Sequence, residues 1–526
     1  CEQLCEDRNV TIGLPRVLSM WDCAPFWTTF WRALGFKVKL SPLSTRRIYE
    51  SGLQAVTSDT VCFPAKLVHG HIRSLVKSKV DRIFMPIITV VKSEGTSKTA
   101  ESMCAVVKGY PMVVHNSDNP EERWGVPFDC PLWHWYTSED RDRQLTKWMG
   151  EQFGIDAATV RRAVQLADAA QGSFRTQLQT RGVQVMEEVE AQGKYAVVLA
   201  SRPYQNDDLV NHDLPKIFNE LGVPVVTADS IPGIHTENLS HSLLDVVNNY
   251  HARMLSTALI AAKSEHLEYA QIVNFNCGHD AYLSDEIIRI MKETSGKAPL
   301  VLKVDESDIA GPLRIRVRSF IDTVNTRYAA GKALEKHELS DPYHSKFTPE
   351  MRMGGAQEKT VLVPNTSHAF SLLMTAVFRR QGLNAVSLPV GRDEAIRLGK
   401  LYVHNDICFP CQIVIGEALA ALESGDWDPD KVAIGMGKYI GDCRLTHYPA
   451  LLRKALDDAG YPQVPIITND EVDTHNVHPG FKLSLPSAIR IAFGLPMIDV
   501  LEDAFAKSRM RWGRQLPECT AHADTH

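Results

Sequence analysis

Residues 57–86 are TSDTVCFPAKLVHGHIRSLVKSKVDRIFMP, and residues 403–436 are VHNDICFPCQIVIGEALAALESGDWDPDKVAIGM. In both stretches a Cys-Phe-Pro motif, at Cys62 and Cys408, ends a polar loop and precedes a predicted helix and a short apolar strand. Self-similarity of this kind indicates a duplicated module. Because each copy places a cysteine at a loop-to-helix junction, we expect the duplication to carry a cysteine-ligated centre.

The similarity extends upstream, where residues 12–42 and 361–389 both predict a strand, a helix, a glycine-containing turn and a second strand. Downstream, each copy reaches a further cysteine, Cys104 or Cys443. Strands that alternate with helices are typical of a parallel sheet covered on its faces. We therefore predict an α/β protein with several Rossmann- or flavodoxin-like parallel-sheet modules joined by helices, the first and last related by internal duplication.

The pattern divides the chain into five segments. The predicted strands of the first module are VTIGLP, KVKLSP, RIFMPIITVV and YPMVVHNS, and the second module begins with YAVVLAS at Tyr195. The segments are a first cysteine module at 1–150, connecting helices at 151–192, a second module carrying Cys277 at 193–327, a linker at 328–358, and a third module with a C-terminal helix at 359–526.

Composition excludes several classes of protein. The net charge of −6 and the pI near 6.4 argue against a nucleic-acid-binding surface, which would carry a basic stripe. No apolar run approaches the roughly 18–20 residues that cross a bilayer, and the N-terminus lacks a signal peptide's apolar core. Eleven cysteines in 526 residues are too sparse for a disulfide scaffold, so we expect a reduced, cytoplasmic protein. The abrupt N-terminus suggests a fragment of a longer protein.

Six cysteines are candidate metal ligands because they lie at or beside predicted loop-to-helix junctions. In a parallel sheet, ligands gather outside the carboxyl ends of the strands. Cys277 illustrates the position, since it follows the strand QIVNF, and Gly278 then lets the chain turn into a helix. The set is Cys62, Cys104, Cys277, Cys408, Cys411 and Cys443. The others are interpreted as ordinary residues: Cys1, Cys5, Cys23, Cys130 and Cys519.

Soft thiolates select iron–sulfur clusters or zinc. A local zinc site is one alternative, and its four ligands would be Cys408, Cys411, Cys443 and His447. However, the first copy has Ala65 at the position of Cys411, and zinc leaves the cysteines of the first two modules unexplained. An iron–sulfur site that uses cysteines from several modules accounts for more residues.

Other patterns favour ordinary structural roles. His69, His71 and His279 are interpreted as partly exposed histidines, and the helically spaced aromatic residues of 21–31 as core. No GxxxxGK[ST] motif is present, so the chain itself has no P-loop for ATP.

Several of these motifs together resemble one family. They include VCFPAKLVHGHI, VVLASRPYQND, VNHDLPK, FNCGHDAYLSDEI, VHNDICFPCQIVIGEAL and GDCRLTHYPALLRKALDDAG, and they follow one another along nearly the whole chain. The chain is similar to the large protein of the 2-hydroxyacyl-CoA dehydratase and activase superfamily, in the branch of the double-cubane cluster reductases. Full-length members of that branch carry N-terminal ATPase domains, which this chain lacks.

The resemblance implies an iron–sulfur cofactor, either a double-cubane cluster of the 8Fe type or a 4Fe-4S cluster, in an anaerobic cytoplasmic oxidoreductase. It implies a partner ATPase activase of the acetate-kinase/actin-like type with its own 4Fe-4S cluster, a low-potential donor such as ferredoxin, and ATP used only through that partner. Its cysteine positions correspond to Cys62, Cys104, Cys277, Cys408 and Cys443. The family's cysteine after the strand proline is Ile87 here, and Cys411 is an extra thiol that could replace it.

The implied activity is the reduction of small molecules or a 2-hydroxyacyl-CoA dehydratase-like reaction. Weak candidates for catalytic residues are His279 and Arg444, which follow Cys277 and Cys443 closely. The alternatives are a non-catalytic subunit that docks an ATPase or carries clusters, and a zinc-stabilised binding protein.

Overall fold

The computed structural model describes residues 2–96, 101–275, 277–307, 310–331, 334–339, 359–391, 393–437, 441, 443–467 and 484–512. The chain divides into two compact units, the first formed by Cys1–Asp341 with Ile440–Arg444 and the second by Pro342–Tyr439 with Leu445–His526. Within the described ranges, every helix is too short or too polar to span a membrane.

Three four-stranded parallel sheets form the framework. The first contains β1 (Thr11–Leu14), β2 (Lys37–Leu40), β3 (Arg82–Phe84) and β5 (Phe128–Asp129). The second contains β7 (Ala196–Ala200), β8 (Val225–Thr227), β9 (Leu267–Asn274) and β10 (Leu300–Val304). The third, in the second unit, contains β11 (Thr360–Val363), β12 (Asn384–Ser387), β13 (Val432–Gly435) and β14 (Ile466–Ile467). Strands β4 (Ile87–Val91) and β6 (Leu132–Trp135) form a separate parallel pair.

Helices connect the strands. Those of the first sheet and the following connection are α1 (Met20–Ala33), α2 (Arg46–Gly52), α3 (Phe63–Lys77), α4 (Ala105–Ser117), α5 (Pro120–Trp124), α6 (Ser138–Phe153) and α7 (Ala157–Ala191). Those of the second sheet are α8 (Asp208–Asn211), α9 (Leu214–Glu220), α10 (Asn249–Lys263), α11 (Gly278–Ser295) and α12 (Ala310–Ala329). Those of the second unit are α13 (His368–Arg380), α14 (Asp393–Tyr402), α15 (Phe409–Glu423), α16 (Tyr448–Asp458) and α17 (Leu485–Trp512).

All three sheets share one strand order, in which the first strand lies between the second and the third and the fourth is at the edge. The first and third sheets are the copies that the sequence predicts, so the predicted fold class is confirmed. The second sheet has the same order, although its sequence shows no comparable repeat. Because the chain moves to one side of the first strand and then returns to the other, each sheet has a crevice at the carboxyl ends of its first and third strands.

The predicted strand RIFMPIITVV is two strands in different sheets. β3 ends at Phe84 and pairs with β1 and β5, whereas β4 begins at Ile87 and pairs with β6. The break falls at Met85 and Pro86, where proline has no N–H to donate to a ladder. The prediction of one continuous strand was therefore wrong.

The predicted strand YPMVVHNS at residues 110–117 is instead the second half of α4. Its adjacent valines favour a strand locally, but the buried residues of this helix follow a helical spacing. Val107, Tyr110 and Val114 are buried in one hydrophobic cluster, and this packing outweighs the proline at position 111.

The aromatic residues of α1 form core, as predicted. Trp27, Phe30 and Trp31 are at most 1% exposed and pack edge-on or stacked against neighbouring rings such as Phe84 and Trp133. The predicted connecting helices at 151–192 are mainly α7, whose Asp156 N-cap accepts hydrogen bonds from the first-turn amides.

The five-segment division stays a prediction. Of the predicted linker at 328–358, residues 340–358 lie outside the described part of the chain, as do Cys1 and Cys519.

His71 lies on α3 and, contrary to prediction, is completely buried. Its Nδ1 is 2.8 Å from the Ser41 hydroxyl and its Nε2 is 2.9 Å from the Ser44 hydroxyl, which itself donates to Asp207 at 2.5 Å. Burial, with a smaller effect from Arg16, lowers the pKa of His71 from 6.5 to about 4. The folded protein therefore holds a neutral imidazole that the unfolded chain would protonate near neutrality.

We predict that stability falls as the pH decreases from about 6.5 to about 4, because the unfolded state binds the His71 proton first. The full difference corresponds to about 3 kcal/mol in the free energy of unfolding. Urea denaturation at several pH values should show a shallower fall for His71→Asn than for the wild type. The exposed His337 supplies a control, since His337→Asn should leave the slope unchanged. Equal slopes for His71→Asn and the wild type would contradict this account.

Candidate cysteine site

Four of the candidate cysteines occupy the N-cap position of a helix. Cys62 precedes α3, Cys104 precedes α4, Cys277 precedes α11 and Cys408 precedes α15. None of the four side chains bonds to a first-turn amide, as a serine or aspartate at an N-cap would. The sulfur atoms are therefore not engaged in capping, and each lies at the positive end of a helix.

Three of these cysteines share one neighbourhood in the first unit. Burial raises the pKa of Cys62 to about 12, with a further contribution from the charge of Cys104. Burial also raises the pKa of Cys277, and Cys104 and Cys62 both add to the increase. Each thiolate would therefore act on the others, so without a ligand the thiols are held neutral in a poorly hydrated site.

A buried ion pair lies beside the three thiols. Arg202 is 1% exposed, and its Nη1 is 2.6 Å from Oδ1 of the fully buried Asp280. Burial disfavours the arginine charge, but Asp280 and then Cys277 outweigh this effect, so the pKa of Arg202 lies well above its ordinary value. The other Asp280 oxygen accepts the Asn274 backbone N–H at 2.9 Å, which fixes the carboxylate against the end of β9.

The strand order of the second sheet explains why these groups meet. Arg202 follows the carboxyl end of β7, and Cys277 follows the carboxyl end of the adjacent β9. The chain changes direction between these two strands, and such crevices are where open α/β sheets bind ligands. Tyr204, two residues after Arg202, is 4% exposed, and burial raises its pKa well above the usual value. Its phenol therefore stays protonated and able to donate a hydrogen bond.

The two weak catalytic candidates, His279 and Arg444, both lie next to Cys277. His279 is in the first turn of α11, with its ring centroid 5.2 Å from that of His251, which also contacts Arg202 at 3.3 Å. The segment containing Arg444 is part of the first unit, and a Cβ added to Gly278 would be 1.8 Å from the Arg444 guanidinium. Gly278 is thus required for the close approach of Arg444 to the start of α11.

A buried hydrogen-bonded chain joins the helices capped by Cys62 and Cys104. His69 on α3 contacts the Asp118 carboxylate through Nδ1 and the Tyr110 hydroxyl through Nε2, both at 3.2 Å. Burial, only partly opposed by Asp118, lowers the pKa of His69, so the ring is neutral. Nδ1–H therefore donates to Asp118, and Nε2 accepts the Tyr110 O–H. His69 is completely buried, so its interpretation as a partly exposed histidine was wrong.

The far end of this chain is held by arginines. Asp118 is 0% exposed and pairs with Arg123 at 3.0 Å and with Arg73 at 3.6 Å. Asp118 ends α4, while His69 is two turns from Cys62 on α3. The contact therefore fixes the two cysteine-capped helices relative to each other.

We predict that His69→Leu loosens the spacing of Cys62 and Cys104, because it removes both hydrogen bonds and leaves Asp118 without its imidazole. The free energy of unfolding should fall by about 2 kcal/mol or more, and that of Tyr110→Phe by about 1 kcal/mol. Dibromobimane bridges two nearby thiols, and peptide mapping would measure the yield of the Cys62–Cys104 product.

That yield should decrease in His69→Leu but not in the control Tyr49→Phe, which changes a buried tyrosine packed on Phe63. An unchanged yield in folded His69→Leu would mean that His69 stabilises the fold without positioning the thiols.

The remaining candidates are placed differently. In the second unit, Cys408 Sγ is 2.9 Å from the Tyr448 hydroxyl, and Cys411 is completely buried within α15. Ala65, at the corresponding position of α3, is equally buried. Cys443 is exposed in the 441–444 segment assigned to the first unit.

No single-ion site is formed by the residues that the structure describes, since they contain no group of three or more His, Cys, Asp or Glu side chains placed to hold one metal ion. The zinc alternative, whose four ligands are all described, therefore gains no support. A cubane differs, because each cysteine binds a different iron and the sulfur atoms surround the cluster instead of converging on one point.

Comparison with known proteins gives one family match. Residues 11–231 match the family model described as CoA enzyme activase uncharacterised domain. The matched range includes the first sheet, α7, and the part of the second module that carries Arg202 and Tyr204, but it ends before Cys277. This match relates the first unit to CoA enzyme activases. No curated protein matches the chain.

Sequence reasoning placed the cysteines but missed the groups around them. Arg202 and Asp280 are far apart in sequence, and neither belongs to a motif that predicts a buried ion pair. The available signal was positional, because both residues lie just beyond the carboxyl ends of adjacent strands.

Proposed function

We propose that this chain is an iron–sulfur protein whose first unit holds a cluster through Cys62, Cys104 and Cys277. The observation that carries the proposal is the gathering of three N-cap cysteines around the buried Arg202. A single-metal site is not formed, and a cubane does not require one. The other three candidates, Cys408, Cys411 and Cys443, are proposed as further ligands on the basis of the repeat and the family resemblance.

The electrostatics of the site suit a bound anionic cluster. Ligation requires thiolates, and the raised pKa of Cys62 means that binding must displace protons. Arg202 supplies a fixed positive charge beside the sulfurs, and Tyr204 offers a protonated hydroxyl. Hydrogen bonds, charge and exclusion of water are the means by which a protein sets a cluster's potential.

We propose that the reaction is a low-potential reduction of a small molecule or a 2-hydroxyacyl-CoA dehydratase-like step. A bound cluster would supply single electrons at low potential. Electrons would come from a partner activase of the acetate-kinase/actin-like type, with its own 4Fe-4S cluster, which hydrolyses ATP and is reduced by a ferredoxin-like donor. The match to a CoA enzyme activase domain supports a place in such a system. His279 and Arg444, beside Cys277, are the candidates for contact with substrate.

The first test is iron and acid-labile sulfide content after strictly anaerobic purification. We expect about four irons per chain for one cubane or about eight for two, with matching sulfide. Cys62→Ala and Cys277→Ala should each lose iron, because each removes a ligand from the shared site. Cys23→Ala is the matched control, since Cys23 is a half-buried cysteine on α1 whose thiol donates to the Ser19 carbonyl.

Iron that is unchanged in both ligand variants, or zinc without sulfide, would overturn the cluster assignment. Oxidation of the reduced cluster by a substrate, with an activase and ATP present, separates an enzyme from a cluster carrier. A cluster that is reduced but never reoxidised by any candidate substrate would favour the carrier.

A further inference from the structure

The second unit contains a cavity of about 590 Å³ at the carboxyl ends of β11 and β13. Volumes of roughly 300–1,000 Å³ are typical of small-molecule sites. The cavity is lined by Val363 and Pro364 after β11, by Gly435 and Gly437 at the end of β13, and by one face of α17. All of its lining residues belong to the second unit.

Its position is the crevice at which the chain changes direction in the third sheet. β11 lies between β12 and β13, so the connection after β11 goes to one side and a later connection returns to the other. Ligands of open parallel sheets bind outside the carboxyl ends of such strand pairs. The cavity therefore combines the expected location with an adequate volume.

The first copy of the module treats the equivalent connection differently. Between β1 and α1, Val17 and Leu18 are at most 3% exposed and belong to a hydrophobic cluster. Between β11 and α13 the connection is one residue shorter, and it carries Thr366 and Ser367, which line the cavity. Two buried aliphatic side chains are thus replaced by small hydroxyl residues, and this change helps to leave the crevice open.

The walls of the cavity are mostly apolar. α13 contributes Phe370, Met374 and Phe378, and α17 contributes Ile491 and Leu495. A ligand that fills this space would therefore have an apolar body, whose burial is favourable by about 25 cal/mol per Å².

The charged groups of the cavity are two carboxylates. Asp499 and Glu502 are three residues apart on α17 and line the cavity together. In the described part of the chain, neither carboxylate forms an ion pair with a cationic side chain. At the opposite wall, Ser367 caps α13 by accepting the Phe370 N–H, so the helix end already has an acceptor. Charge complementarity therefore favours a cation over an anion.

We propose that the second unit binds a small molecule with an apolar body and one protonated amine at this crevice, with the amine facing Asp499 and Glu502. The site is separate from the cysteine site and does not depend on the proposed function.

The test compares two probes with the same apolar body and opposite charge, 4-phenylbutylamine and 4-phenylbutyrate, by isothermal titration calorimetry on the whole chain. The amine should bind saturably at one site, about tenfold or more tightly than the carboxylate. Asp499→Asn combined with Glu502→Gln should weaken amine binding about tenfold and abolish the preference. Both residues are exposed, so this variant should fold normally.

A second pair of variants tests the cavity itself. Ala492 lines the cavity, and Ala492→Phe should reduce the affinity for the amine at least about tenfold by filling the space. Ala504→Phe, at an exposed position of the same helix, is the control and should bind normally. Absence of saturable amine binding, equal binding of both probes, or full binding by Ala492→Phe would overturn the proposal.

Discussion

Arg202 carries a positive charge where almost no water reaches it, and its direct contact with Asp280 makes this burial possible. An isolated buried charge would be lost to deprotonation or would destabilise the fold, whereas a paired and hydrogen-bonded one can be retained. Replacing such a pair by apolar residues is often neutral or even stabilising, so stability alone does not explain its presence. A role toward the adjacent thiols does explain it.

The parallel-sheet topology delivers the thiols to this charge. In each module a strand ends, a loop follows, and a helix begins on the same edge of the sheet, so residues at the N-cap positions collect there. A cysteine at this position is a poorer cap than serine or aspartate. The cost at any one helix is of the order of 1 kcal/mol, and it recurs at four helices of this chain. The repetition indicates that the sulfur atoms serve something other than the helices.

The fold class and the cysteine positions could be predicted from the sequence because both depend on local patterns. Alternating strands and helices specify parallel sheets, and Cys-Phe-Pro marks a helix start through the fixed backbone of Pro64 or Pro410. The predictions failed where tertiary packing decides. Residues 110–117 resemble a strand but are helical because Tyr110 and Val114 face a core cluster.

The two buried histidines were missed for the same reason. Nothing in a helical sequence shows that His69 faces Asp118, which is 49 residues away, or that His71 faces two serines from the preceding loop. Polar residues on a helix are usually exposed, and a buried polar network can be recognised only when its partners are in place.

The two copies of the module show what each position of the repeat is free to change. Ala65 and Cys411 are both fully buried at the same place in α3 and α15, so this position accepts any small side chain, and the thiol of Cys411 is packed as a small apolar group would be. The connection after the first strand has changed more, from buried aliphatic residues in one copy to hydroxyl residues beside a cavity in the other. Since the strand order is the same in both, the framework does not require that crevice to be filled. Duplication thus left one copy free to keep its crevice as core and the other to open it, while the N-cap cysteine stayed in both.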